Sequence, residues 1–323
     1  MSQTGMSGAD AALPQFDVRL TPPDLGEWLA GNCGVAGFQH FDSQRAGPHV
    51  LITALMHGNE IAGAIALDSL LRAGVRPLRG KLTLGFLNIA AFARFDPARP
   101  TASRFVDEDM NRLWDRAILE GPRDSAELAR AREIRPLVEG ADILLDLHSM
   151  LWPSEPLILC GRTEKGRRLA RAIGTPAIAV ADRGHNSGPR LIDYGGFADD
   201  GDPRIACLVE AGPHWEAQTV ATARAAVAAL LHQTELASSD TPGAAPAAWR
   251  YAQVTEVVTA HTSGFAFVRP FRGGDVIPEI HTLIAHDGAR EIRTPHDDCL
   301  LVMPSLRPSR GHTAVRLARF CPD

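Results

Sequence analysis

LITALMHGNEIAGAIAL (residues 51–67) is an apolar run interrupted by four residues that do not belong in it. Burying an imidazole and a carboxylate costs free energy unless something pairs with them. Before the interruption, HVLITAL (49–55) is apolar on both faces, the pattern of a central strand in a sheet covered by helices. After it, residues 60–73 keep helical spacing and run to Gly74, a residue suited to ending a helix. His57, Gly58, Asn59 and Glu60 therefore fall at the carboxyl end of a strand, where open α/β sheets bind ligands. Residues i and i+3 share one side of a helical turn, so His57 and Glu60 can meet one metal ion. The spacing alone is weak. The chain has 12 histidines, and the same spacing recurs at His232 and Glu235, which read as a solvated helix face.

Working outward, KLTLGFLNI (81–89), ADILLDLHS (141–149), EPLILC (155–160), PAIAV (176–180) and RIACLVEAG (204–212) are further strand candidates. Residues 124–138, 164–173 and the Ala-rich WEAQTVATARAAVAALLHQTEL (215–236) read as helices between and after them. This alternation predicts an α/β fold, a mostly parallel or mixed sheet flanked by helices. Residues 1–20 read as a loosely packed lead-in, and ASSDTPGAAPAA (237–248) as a linker. Beyond it, short β-rich runs punctuated by Gly and Pro predict a small all-β module. The expected division is a catalytic α/β domain over residues 1–240 and a β-domain over 249–323 that shapes the cleft.

Composition narrows the function. The chain has 323 residues, 45% hydrophobic and 22% charged, with a formal net charge of −5. No strong positive field invites nucleic acid or an anionic membrane. No apolar run reaches the ~18 residues of a membrane span. No basic start followed by an apolar block suggests a secretory signal. The five cysteines are scattered and odd in number, which points to reduced thiols in the cytoplasm.

Three other stretches carry candidate polar residues, the first two at the ends of apolar runs. In DILLDLHSM (142–150), Asp146 and His148 lie two apart on a strand and point the same way. His148 completes a His, Glu, His set with one position left for water, the arrangement of a catalytic zinc; Asp146 either orients a ligand or caps a turn. In CLVEAGPH (207–214), Glu210 interrupts another strand end and is suited to act as a base beside such a water. His214 follows Pro213 and is given no role. ASRFVDEDMNRLW (102–114) gathers Arg104, Asp107, Glu108, Asp109, Asn111 and Arg112. Arginine grips carboxylates with two parallel hydrogen bonds and can stabilise an oxyanion.

HGNE, SRFVDEDMNR, DLHS and VEAGP, in this order, resemble the succinylglutamate desuccinylase/aspartoacylase family of the zinc carboxypeptidase superfamily. The resemblance covers roughly residues 45–235, and FRGGDVIPEI, IAHDG and DDCLLVMPS look like that family's small β-domain. It implies a zinc carboxypeptidase-like fold, one zinc ion per chain held by His57, Glu60 and His148, and Glu210 as general base and later proton donor. It implies that Arg104 polarises the scissile carbonyl, that Asn111 and Arg112 bind a substrate carboxylate, and that Asp109 supports them. A further substrate arginine is expected from Arg183, Arg190 or Arg204, and a tyrosine in some members; Tyr194 and Tyr251 are the two tyrosines here. The expected activity is hydrolysis of the amide of a small N-acyl amino acid. The alternatives are a metallocarboxypeptidase acting on short peptides and a non-catalytic binding protein on the same fold. The expected partner is the small-molecule substrate, without nucleic acid or membrane; homo-oligomers are compatible with the sequence.

Overall fold

The computed structural model describes residues 15–182, 184, 188–237 and 248–322. Seven strands build the first part of the sheet: β1 (Phe38–Asp42), β2 (His49–Ala54), β3 (Lys81–Phe86), β4 (Ile143–Met150), β5 (Leu157–Leu159), β6 (Ile178–Ala181) and β7 (Ile205–Pro213). Seven more follow: β8 (Arg250–Thr259), β9 (Phe265–Phe267), β10 (Val276–Ile277), β11 (Leu283–Asp287), β12 (Arg290–Arg293), β13 (Cys299–Val302) and β14 (Thr313–Cys321). The longer helices are α1 (Ile61–Arg72), α2 (Ala126–Glu139), α3 (Glu164–Ile173) and α4 (Ala217–Gln233).

An 11-stranded mixed sheet runs β1-β3-β2-β4-β7-β5-β6-β8-β14-β13-β10. Strands β3, β2, β4 and β7 are adjacent and mutually parallel, with β3 one strand in from the β1 edge. Period-two alternation sorts their side chains. Val50, Ile52, Ala54, Leu145, Leu147, Cys207 and Val209 pack under α1, α3 and α4. Leu51, Leu144, Ala206 and Leu208 face the opposite core with Leu128, Ile134 and Val138 of α2. The even-numbered residues of β4 and β7 thus point toward the α2 side, and Asp146, His148 and Glu210 continue those rows.

The sequence-based strands and helices lie within a few residues of the observed ones. Strand β1, FQHFD, was not expected. It pairs antiparallel with β3 at the sheet edge, and its half-exposed polar positions break up any apolar run. Of the two expected forms the sheet is the mixed one, because β1, β5, β14, β13 and β10 enter by antiparallel pairing. The C-terminal segment is all β. Strand β8 pairs parallel with β6 and so continues the main sheet, while β12-β11-β9 form a separate three-stranded sheet. Val258, Ile284, Leu301 and Leu317 belong to that segment's own core.

Residues 1–14 and 238–247, the greater part of the expected lead-in and linker, lie outside the described residues. The end of the lead-in is packed rather than loose: the Phe16 ring lies edge-on against Trp152 and Trp215, 5.7 Å from each. No described helix is long and apolar enough to cross a membrane.

Gly273 joins the C-terminal segment to the loop after β4. Its N–H donates to the Pro153 carbonyl at 3.0 Å, and its carbonyl accepts from Glu155 N at 2.8 Å. A Cβ at this position would lie 2.0 Å from Ser154 Oγ and 2.7 Å from its Cβ. Gly273→Ala is therefore expected to lower stability by about 1–3 kcal/mol, the usual cost of overpacking, measured as a reduced denaturant midpoint with unchanged slope.

Candidate active site

The loop after β2 turns back so tightly at Gly58 that a Cβ there would sit 2.4 Å from backbone atoms of Ala91 and Phe92. Gly58 N donates to the Arg104 carbonyl at 3.0 Å, which fastens this loop to the segment carrying the arginines. Trp215 Nε1 donates to the Asn59 carbonyl at 3.0 Å. Between these anchors, His57 and Glu60 are held inward, 3% and 2% exposed.

His148 reaches the same point from the end of β4. Ligand-type atoms of His57, Glu60 and His148 lie within 4.8 Å of one another, and all three residues are buried. Glu60 is shared: its Oε1 is 2.7 Å from His57 Nδ1 and its Oε2 is 3.0 Å from His148 Nδ1. Ser149 N donates to Oε2 at 3.1 Å. Burial opposes ionisation of Glu60, but the charges of His57 and His148 and their hydrogen bonds prevail and hold its pKa well below the usual carboxylate range.

Both imidazoles are gripped from behind by carboxylates. His57 Nε2 lies 3.0 Å from Asp109 Oδ1, and His148 Nε2 lies 2.8 Å from Asp146 Oδ2. Asp146 is itself fixed by Thr53 Oγ1, which donates to Oδ1 at 2.7 Å. Asp146 thus orients His148 rather than capping a turn. A carboxylate behind each ring, with both Nδ1 atoms turned inward, is how proteins orient imidazole ligands toward a metal. Two nitrogens and a carboxylate oxygen suit zinc, so the donor set fits such an ion.

Glu210 lies directly beside His148 in the β4–β7 register. It is 6% exposed, and its Oε2 has no hydrogen-bond partner among the described residues. Burial pushes its carboxyl up to about 8, against the opposing pull of the His148 charge. A cation at the neighbouring cluster would draw this group back toward the ionised form.

Arg104 bridges the cluster and the arginine-bearing loop. Its Nη2 lies 3.2 Å from Asp109 Oδ2 and 2.9 Å from His57 Nε2, and its Nη1 lies 3.4 Å from Glu60 Oε1. Asp109 also lies 3.7 Å from Arg112 Nη2. One carboxylate therefore touches His57, Arg104 and Arg112 together, which the one-dimensional spacing did not reveal. Asn111 is buried, and its Oδ1 accepts from Leu191 N at 2.9 Å. The desolvated Arg112 guanidinium, close to Arg104, Arg316 and Arg190, has its pKa drawn down to about 10 despite the attraction of Asp109.

The remaining candidates separate. Arg190 is fully buried and held bidentately by Asp182 at 2.7 and 3.1 Å and by Asp193 at 2.7 and 3.1 Å. Arg204 pairs with Asp202 at 2.7 Å. Arg183 lies outside the described residues. Tyr194 donates to Glu139 Oε1 at 2.7 Å, and Tyr251 stacks on Trp249; neither contact belongs to the cluster. His232 is exposed, and Glu235 pairs with Arg79 at the surface.

Several neighbours escaped sequence reasoning. Ser149 Oγ bonds His214 Nδ1 at 2.7 Å, and burial lowers the His214 pKa to about 4, so this imidazole is neutral. Arg316, on β14, brings a buried cation to Asp182 at 3.3 Å. Nothing in TAVRLARF sets Arg316 apart from Arg319 as the residue that does this.

The succinylglutamate desuccinylase/aspartoacylase catalytic domain profile matches residues 46–233. A comparison with curated proteins finds no match. Among solved structures, the chain is similar to a succinylglutamate desuccinylase from Vibrio parahaemolyticus, with 16% identity, a TM-score of 0.65, and coverage of 89% of this chain and 87% of that one. It is similar to a succinylglutamate desuccinylase/aspartoacylase from Rhodobacter sphaeroides at 19% identity and a TM-score of 0.62, covering 86% and 87%. The product-bound ectoine utilization protein EutE (DoeB) from Ruegeria pomeroyi aligns at 16% identity and a TM-score of 0.62, covering 87% and 88%. At these identities the likenesses establish a shared fold.

Asp109→Asn keeps the shape but weakens the grip on His57. Metal affinity is expected to fall about 10–100-fold, read by competition with a chromogenic chelator; an unchanged affinity would remove Asp109 from the support of the cluster.

Proposed function

We propose, from the succinylglutamate desuccinylase/aspartoacylase family to which this chain belongs, that it is a zinc-dependent hydrolase cleaving the amide bond of a small N-acyl amino acid. The observation that carries this reading is the pairing of the His57, Glu60 and His148 cluster with Glu210. The cluster fits a divalent cation, and Glu210 places an unpartnered carboxylate oxygen beside it. A binding protein has no need for such a base.

Zinc bound by His57, Glu60 and His148 would polarise an amide carbonyl and lower the pKa of water. Asp109 and Asp146 hold the two imidazoles with Nδ1 facing Glu60. Glu210 takes a proton from the attacking water and passes it to the leaving amine, as its position on the strand next to His148 suits. Arg104 stands at the cluster with a guanidinium able to stabilise negative charge on the carbonyl oxygen. Arg112, with Asn111 fixing the loop across from it, receives the substrate carboxylate. The C-terminal β-segment, fastened at Gly273 to the loop after β4, narrows the cleft and favours small substrates. Five cysteines, all free, support a reducing, cytoplasmic setting.

A panel of N-acetyl and N-succinyl amino acids with matched dipeptides tests the reading. Release of an amino acid from one acyl derivative, lost on chelation and restored by zinc, is expected; hydrolysis of dipeptides alone would favour a carboxypeptidase. Glu210→Gln should bind zinc as the native protein does and lose about 10²–10⁴-fold in kcat, the usual contribution of a general base.

A further inference from the structure

The segment from Arg104 to Arg112 carries most of the substrate-facing charge proposed above, yet at its centre, residues 106–108, no regular element holds it. What holds it is a carboxylate from another part of the chain. Glu127, in the first turn of α2, is completely buried. Its Oε1 accepts from Val106 N at 2.6 Å and from Asn88 Nδ2 at 2.9 Å. Its Oε2 accepts from Asp107 N at 3.0 Å and Glu108 N at 3.2 Å. The grip is reciprocal. Asp107 Oδ2 accepts from Ala126 N at 2.7 Å, and Glu108 Oε1 accepts from Ser125 Oγ at 2.6 Å. Loop carboxylates satisfy the start of the helix, and a helix carboxylate satisfies three consecutive loop amides.

Asn88 extends the tie to the metal side. Its backbone N donates to the Leu55 carbonyl at 2.8 Å, two residues before His57. Glu127 thus stands between the loop bearing Arg104, Asp109, Asn111 and Arg112 and the base of the loop bearing His57 and Glu60. Burial raises the cost of charging Glu127, but the hydrogen bonds from Val106, Asn88, Asp107 and Glu108 outweigh it and keep the group ionised below the usual carboxylate pKa.

We propose that Glu127 is a positioning residue: by fixing the amides of Val106, Asp107 and Glu108 it sets where the Arg104 guanidinium and the Asn111–Arg112 pair stand relative to the cluster. It touches neither substrate nor ligand atoms and acts through Arg104 and Arg112. The kinetic part of this inference rests on the amidohydrolase reading; the structural part does not.

Glu127→Gln tests it with little change of shape. The amide NH₂ that replaces one oxygen faces N–H donors, so at least one of the amide bonds is lost. Two readouts are taken on the zinc-loaded protein. Hydrogen exchange at residues 106–108 needs no substrate, and exchange is expected to quicken there while zinc content stays full. With a substrate from the panel above, kcat/KM is expected to fall about 100-fold, as a misplacement of around 1 Å does, with the loss shared between kcat and KM. In an Arg104→Gln background the same change is expected to cost much less, since the two act as one unit. Unaltered exchange at 106–108 overturns the clamp. Faster exchange with native kcat and KM leaves Glu127 merely structural and overturns the positioning role. A native protein that hydrolyses nothing in the panel refutes the amidohydrolase reading instead, and the exchange result still decides the clamp.

Discussion

A single buried carboxylate, Glu60, is shared between two imidazoles, and the surrounding structure is organised around that arrangement. A lone ionised carboxylate in this position would be costly. Here His57 and His148 approach one oxygen each, and Ser149 N adds a hydrogen bond. Around this centre Glu60, Asp109, Asp146 and Glu210 bring four acidic groups against Arg104 and the two histidines. A divalent cation would offset part of that negative charge and give the inward-facing Nδ1 atoms a common target.

The fold delivers these groups by simple rules. Alternation along β4 and β7 sends Asp146, His148 and Glu210 to one face, and the parallel register puts His148 beside Glu210. The chain leaves β2 for β3 on one side and later returns to β4 on the other. The carboxyl ends of β2 and β4 therefore flank a point where the strand order reverses, the usual place for a ligand crevice. His57 and Glu60 leave β2 at that point. Close packing at Gly58 and its bond to the Arg104 carbonyl then bring in the arginine-bearing loop.

Much of this was legible in the sequence because buried strands advertise themselves. An apolar run that ends in His or Glu contradicts its own composition, and HGNE, DLHS and VEAGP each do so. Strand β1 was not legible, since an edge strand with half-exposed polar positions has no such run. The supporting contacts were hidden for a different reason. Glu127 in AELARAREIRPLVE reads as an ordinary acidic residue in the first turn of a helix, and only the fold shows three loop amides on it. Thr53, Arg316 and the grip of Asp109 on His57 likewise depend on partners far away in sequence. Arg190, a plausible substrate residue by position, is already saturated by Asp182 and Asp193.

The most direct test of the account is anomalous X-ray scattering at the zinc edge on crystals of the protein grown with zinc. The account predicts one zinc ion per chain, bound by His57, Glu60 and His148, and lost when His148 is replaced by Ala. A chain that binds no zinc, or that binds it away from these three residues, would contradict the claim that Glu60 and its two histidines are built to hold a metal.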